Sequence, residues 1–208
     1  MKFAFFSHGI TQAAADKLAE FTEKPVNQVR TLYITTAANT YPPDPDWMIE
    51  TLTQLKEFGF NVVRFDLERA QSEHVDLEQR LSNIDIVFFS GGNAFYLNYW
   101  IRETGFYQLL RQKMQYRLVY AGESAGVVNQ IADMTPIAWL DHPEQTPEVS
   151  YEGLQLTDYI VIPHWENPKY QEKLEKTKKY YEDRGLEVLT IQDNEALFID
   201  NEKYCLIK

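Results

Sequence analysis

Hydrophobic and polar positions along this chain switch repeatedly between a period of two and a period near 3.6. Residues 2–7 form an apolar run closed by His8-Gly9, and Ala14, Leu18 and Phe21 then recur at helical spacing, so the chain opens as strand, turn, helix. Residues 29–37 (VRTLYITTA) are rich in β-branched and aromatic side chains and predict a second strand, which leads into the loop AANTYPPDP. A helix follows, with Asp44 placed to cap it, Pro45 in its first turn, Met48, Leu52 and Leu55 as its stripe and Gly59 as its stop. Residues 60–67 resume the strand pattern, and Val75, Leu77, Leu81 and Ile84 mark a shorter helix. Residues 85–89 (DIVFF) are nearly all apolar, as in a strand buried on both faces.

The same alternation continues to the C-terminus. Residues 118–121 suit a short buried strand, with Val127, Val128 and Ile131 on one face of a helix behind it. Residues 135–150 read as a loop, carrying Pro136, Pro143 and Pro147 among acidic residues, and could cover a site or cross the surface. Residues 159–163 (YIVIP) predict another buried strand ending at His164, and Asn167-Pro168 then start a helix with the stripe Tyr170, Leu174, Thr177 and Tyr181. Residues 186–191, 196–199 and 203–207 read as three closing strands. Strands and helices alternating at this spacing predict an α/β fold, a mostly parallel sheet with helices on both faces, whose functional residues sit at the C-terminal strand ends.

Bulk properties narrow the setting. A chain of 208 residues can build one substantial core, and no repeat or linker divides it, so residues 1–208 are expected to form a single domain. The net charge of −11 argues against nucleic acid or an anionic membrane as partner. One cysteine, Cys205, rules out an intrachain disulfide and fits a reducing cytoplasm. No apolar stretch approaches the roughly 18–20 residues of a membrane span, and the start MKFAFFSHG is too short in apolar residues for a signal peptide. Neither a metal motif nor a phosphate-binding glycine loop is present, so no metal or cofactor is expected.

The candidate chemistry centres on Gly122-Glu123-Ser124-Ala125-Gly126, a G-x-S-x-G pattern between a predicted strand and helix. In a nucleophile elbow the glycines permit a sharp turn that pushes the serine out of the sheet. The preceding strand–helix turn carries Ser90-Gly91-Gly92-Asn93, which would supply backbone N–H groups beside that serine if the two strands are neighbours. Serine needs a base, usually a histidine held by a carboxylate. Of the four histidines, His164 directly follows a buried strand and is the best placed; His8 ends the first strand, His74 opens a polar helix and His142 lies in an acidic loop. Asp193, at the end of a strand run, can reach the same edge, with Glu195, Asp133 and Asp158 as competitors.

Together, Gly91-Gly92-Asn93 after one strand, G-E-S-A-G at the elbow, Pro163-His164 after another strand and the late turn Asp193-Asn194-Glu195-Ala196-Leu197 resemble the peptidase E (aspartyl dipeptidase) family of serine peptidases, to which cyanophycinases are related. The resemblance implies a flavodoxin-like three-layer sandwich akin to class I glutamine amidotransferases, with serine in place of their cysteine. It implies Ser124 as nucleophile, His164 as general base and acid, Asp193 as orienting carboxylate with Asp133 in reserve, and the N–H groups of Gly92 and Ala125 as the oxyanion hole. The expected activity is a serine exopeptidase acting through an acyl-enzyme on small peptides, among them those with an N-terminal aspartate. The family recognises that aspartate with an arginine after the catalytic histidine; here Lys169, Lys173, Lys176, Lys178 and Lys179 precede the first arginine, Arg184, so the substrate-binding residues stay unassigned. Two other readings remain: an α/β-hydrolase esterase, with Asp141 or Asp158 as the acid ahead of His164, and a silent member of the fold that binds a metabolite or protein.

Overall fold

The computed structural model describes residues 1–208. Five strands run parallel: β1 (Lys2–Phe6), β2 (Arg30–Ile34), β3 (Asn61–Phe65), β4 (Ile86–Phe89) and β5 (Val119–Glu123). The hairpin β8 (Ala196–Asp200) and β9 (Lys203–Ile207) adds antiparallel to β1, giving the order β3-β2-β4-β5-β1-β8-β9. The segment β3-β2-β4-β5 follows the 2-1-3-4 run of the flavodoxin-like order, and β1 takes the place beyond it. β4 and β5 are direct neighbours, with Phe89 opposite Gly122, so the two glycine-bearing turns lie side by side.

Two apolar clusters make the layers. On one face α1 (Gln12–Thr22) and α2 (Asp46–Glu57) set Leu18, Phe21, Met48 and Leu52 against Phe6, Tyr33, Phe88 and Phe198. On the other, α3 (Leu67–Ser72), α4 (Leu77–Leu81), α5 (Ala94–Glu103), α6 (Phe106–Met114), α7 (Ala125–Val128) and α8 (Gln171–Glu182) cover Phe5, Leu32, Phe89 and Tyr120. Strands β4 and β5 are buried throughout, as their apolar runs require, down to Glu123 at the end of β5. No helix is long and apolar enough to cross a membrane.

Three local expectations change. The strand runs 159–163 and 186–191 do not join the main sheet: β6 (Ile160–Ile162) and β7 (Val188–Thr190) pair in parallel as a separate two-stranded sheet. Asp44 does not cap α2; its backbone is left-handed at φ 51° and its carboxylate pairs with Arg64 at 2.7 Å. The 135–150 stretch holds two 3-10 turns, Thr135–Trp139 and Pro143–Gln145, and is tied to the start of α5 by bonds from Asn93 to His142 O and from Ala94 N–H to Asp141.

Candidate active site

Ser124 follows β5 with φ 49° and ψ −101°, a conformation a serine adopts only when its surroundings impose it. The imposing groups are close. Its N–H bonds Phe6 O at 3.2 Å across the β1–β5 pair, and α7 starts at the next residue. The two elbow glycines serve close approach rather than bending, since neither has positive φ. A Cβ on Gly122 would lie 2.5 Å from the Gly126 backbone, and one on Gly126 would lie 2.6 Å from Phe89 O. Turn, helix and neighbouring strand therefore pack at backbone distance, and the serine carries the strain.

His164 and Asp193 come from the small sheet. β6 and β7 remain bonded past their ends through Ile191 N–H to Ile162 O at 3.0 Å and Trp165 N–H to Ile191 O at 3.0 Å. That pairing brings the residues after each strand together: His164 Nδ1 lies 2.6 Å from Asp193 Oδ1, and His164 Nε2 lies 2.9 Å from Ser124 Oγ. An ionised carboxylate only accepts, so Nδ1 carries the proton and Nε2 of the neutral ring accepts from the serine hydroxyl. Asp193 is held well below the usual carboxylate range, chiefly by the His164 ring and further by Asn167 and Ser7. Asn167 Nδ2 donates to Asp193 Oδ2 at 2.8 Å, and Ser7 Oγ donates to Oδ1 at 2.9 Å while accepting from His164 N–H at 2.6 Å.

The competing acids are engaged elsewhere. Asp133 accepts from Tyr180 Oη at 2.8 Å and Thr135 N–H at 2.9 Å. Glu195 accepts from Gln192 N–H and pairs with Lys208. Asp141 accepts from Ala94 N–H at the start of α5 and from His142 N–H, and Asp158 is exposed. Among the other histidines, His142 pairs with Glu144 and His74 is exposed, whereas His8 lies on the rim of the site with Nδ1 3.6 Å from Glu123 Oε1.

Gly91 and Gly92 pass beside the serine, as the neighbouring strand ends require. A Cβ on Gly91 would sit 3.5 Å from Ser124 Cβ. Gly92, at φ 127°, runs so near Ala37 O that a side chain has no room, and its N–H has no acceptor within the protein. Ala125 N–H is the first of the helix-start donors of α7 that lack an intrahelical acceptor. A cavity of about 520 Å³ opens over these groups. No group of three or more His, Cys, Asp or Glu side chains is arranged to hold a metal ion.

Ser7, Asn167 and Glu123 are the site residues that sequence reasoning missed. Glu123 is only 2% exposed; Gly9 N–H and Thr51 Oγ donate to its carboxylate, and burial pushes its acidity range up. Its one signal was a charged side chain ending an otherwise apolar strand.

Comparison with known proteins gives one consistent result. The model of peptidase family S51 matches residues 4–207. An "uncharacterized peptidase" of Listeria innocua is 26% identical over 93% of this chain and 92% of its own length, and peptidase E of Streptomyces coelicolor is 28% identical over 66% of this chain and 58% of its own. The crystal structure of a putative peptidase E protein from Listeria monocytogenes superposes with a TM-score of 0.84 at 22% identity, covering 100% of this chain and 98% of that one, which establishes the shared α/β fold.

Proposed function

The chain belongs to peptidase family S51 and is a serine-type peptidase, and on that premise we propose that Ser124, His164 and Asp193 form its catalytic triad and that it acts as an exopeptidase on small peptides. The unbroken hydrogen-bond chain from Asp193 through His164 to Ser124 is the observation that carries this reading. Ser124 Oγ attacks the scissile carbonyl as His164 Nε2 takes its proton. The N–H groups of Gly92 and Ala125 receive the negative charge that develops on the carbonyl oxygen. His164 then passes its proton to the departing amine, the C–N bond breaks, and the acyl group remains on Ser124. Water, deprotonated by the same ring, releases the acid and restores the serine.

The cavity volume of about 520 Å³ supports a short peptide as substrate. Recognition of an N-terminal aspartate would rest on Lys169, since it is the lysine that lines the cavity and no arginine does. The test is reaction with a fluorophosphonate, location of the adduct, and turnover of Asp-X, Glu-X and neutral dipeptides beside a simple ester. A Ser124 adduct with peptide turnover is expected. An ester turned over without any peptide would favour an esterase, and no adduct with no turnover would leave a silent binding protein.

A further inference from the structure

One wall of the cavity is largely apolar. Val128 of α7, Ile137 of the Thr135–Trp139 turn and Leu140 just after it, Ile162 of β6, and Leu174 with Thr177 of α8 line it. All but Leu140, which is half-buried at the rim, are buried, and α8 packs on both the turn and β6. The Thr177 hydroxyl is buried without a hydrogen-bond partner, so a substrate carboxylate set against these six side chains would find a single donor among them. A carboxylate transferred to such a surface loses its hydration with little in return.

Charge around the cavity acts in the same direction. Glu123, Asp141 and Asp193 line it, against Lys169 alone, and the Lys169 ammonium lies on the Tyr170 ring, 4.9 Å from its centroid, on an exposed side chain. An acidic substrate side chain would meet more carboxyl groups than ammonium groups along this lining, whereas the ammonium of a free N-terminus would find acceptors there. Val128 lies one helical turn beyond Ser124 on α7, with its N–H on Ser124 O at 3.2 Å, so the apolar wall begins at the nucleophile itself.

We propose that this wall receives the side chain of the residue supplying the scissile carbonyl, and that the enzyme selects peptides in which that side chain is neutral and apolar and turns away aspartate and glutamate. The proposal rests on the serine-peptidase assignment of the same site. One buried methylene changes discrimination by about 10-fold or more. The test uses aminoacyl-methylcoumarin amides of leucine, alanine, aspartate and glutamate on the full chain, with Leu-Ala and Asp-Ala as competitors of fluorophosphonate labelling. Leucine should exceed alanine by about 10-fold and the acidic residues by about 100-fold in kcat/KM, and Leu-Ala should protect Ser124 where Asp-Ala does not. Leu140→Arg, a rim substitution, should lower the leucine-to-aspartate ratio at least about tenfold by placing a cation over the wall. A flat series, an aspartate preference, or a ratio unmoved in Leu140→Arg would overturn the proposal while leaving the serine-peptidase reading intact. Failure of Ser124 to label at all would instead overturn the reading on which it rests.

Discussion

Asp193→Asn tests the proposed triad where its geometry is most demanding. The side chain must accept at both oxygens: from His164 Nδ1 and Ser7 Oγ on Oδ1, and from Asn167 Nδ2 on Oδ2. Asparagine offers one acceptor oxygen and one amide nitrogen, so one side has to be given up. Asn167 decides which, because its own carbonyl oxygen is held by Lys169 N–H at 3.1 Å and its amide nitrogen is thereby fixed toward residue 193. The new oxygen turns to Asn167 and the new NH₂ to His164. The ring then accepts at Nδ1 and is protonated at Nε2, the tautomer that cannot take the serine proton. Loss of the correct tautomer in a serine triad is worth a factor of about 10⁴, or about 5 kcal/mol in the barrier. The stability cost should be far smaller, about 1 kcal/mol, because a side chain 40% exposed competes with water for its bonds. That cost has a sign in pH. The carboxylate is depressed in the folded state, so its contribution is complete above the unfolded value of about 3.9 and disappears as pH falls through the folded one. The assay is the second-order rate of fluorophosphonate labelling at pH 8, which needs no knowledge of the substrate, with thermal melts between pH 3 and pH 8. Adding Asn167→Ala should recover part of the lost rate by freeing residue 193 to rotate. A variant within tenfold of the parent, or no recovery in the double variant, would refute the argument.

Three further outcomes follow from the same geometry. Gly92→Ala forces a Cβ into Ala37 O at φ 127°, so thermal denaturation should show a loss of at least about 3 kcal/mol together with slowed Ser124 labelling; a fully stable, fully reactive variant would mean the turn is not held as described. Ser7→Ala leaves His164 N–H without its acceptor and Asp193 with one donor fewer, and should reduce labelling about tenfold with a steeper loss toward low pH, whereas Ser7→Thr should retain most of the rate. Glu123 has its acidity range raised by burial, so ionising it in the folded state opposes stability as pH rises above about 4.3. Melting of Glu123→Gln relative to the parent should therefore improve from pH 4 to pH 7, and a difference that stays flat or falls would show that the donors Gly9 N–H and Thr51 Oγ outweigh burial.

The main sheet was legible because its strands announce themselves locally. Residues 86–89 and 118–121 are buried on both faces, and a run that apolar has few other homes. The elbow serine and the strand-end histidine were legible for a related reason, as polar residues placed directly after such runs. Sheet membership was not. Runs 159–163 and 186–191 mark strands equally well whether they join the large sheet or pair with each other, and the choice between these is made by contacts distant in sequence. Ser7 and Asn167 were hidden differently: a lone serine or asparagine at the end of an element is usually a cap or a turn residue, and its role here exists only because the chain brings residue 193 against it.

The use of two sheets has a mechanical consequence for the site. Ser124 is fixed by the backbone of the large sheet, through Phe6 O and the glycine contacts, while His164 and Asp193 are fixed to each other by the β6–β7 pairing. The 2.9 Å distance between serine and histidine is therefore set by how the small sheet docks. That docking is made by α7 and α8 packing on β6, the same layer that presents Val128, Ile162 and Leu174 to the cavity. The proposed binding wall and the Ser124–His164 spacing share their side chains. Ser7 adds a hydrogen-bonded tie beside the Ser124–His164 bond, reaching from the end of β1 to both His164 and Asp193. Enlarging the wall by Leu174→Ala should thus cost labelling rate as well as substrate preference, since a cavity under β6 lets the histidine withdraw from the serine. A substitution that altered preference while leaving the labelling rate untouched would mean that the hydrogen bonds to the small sheet, Ser7's among them, hold the two sheets in register without this packing.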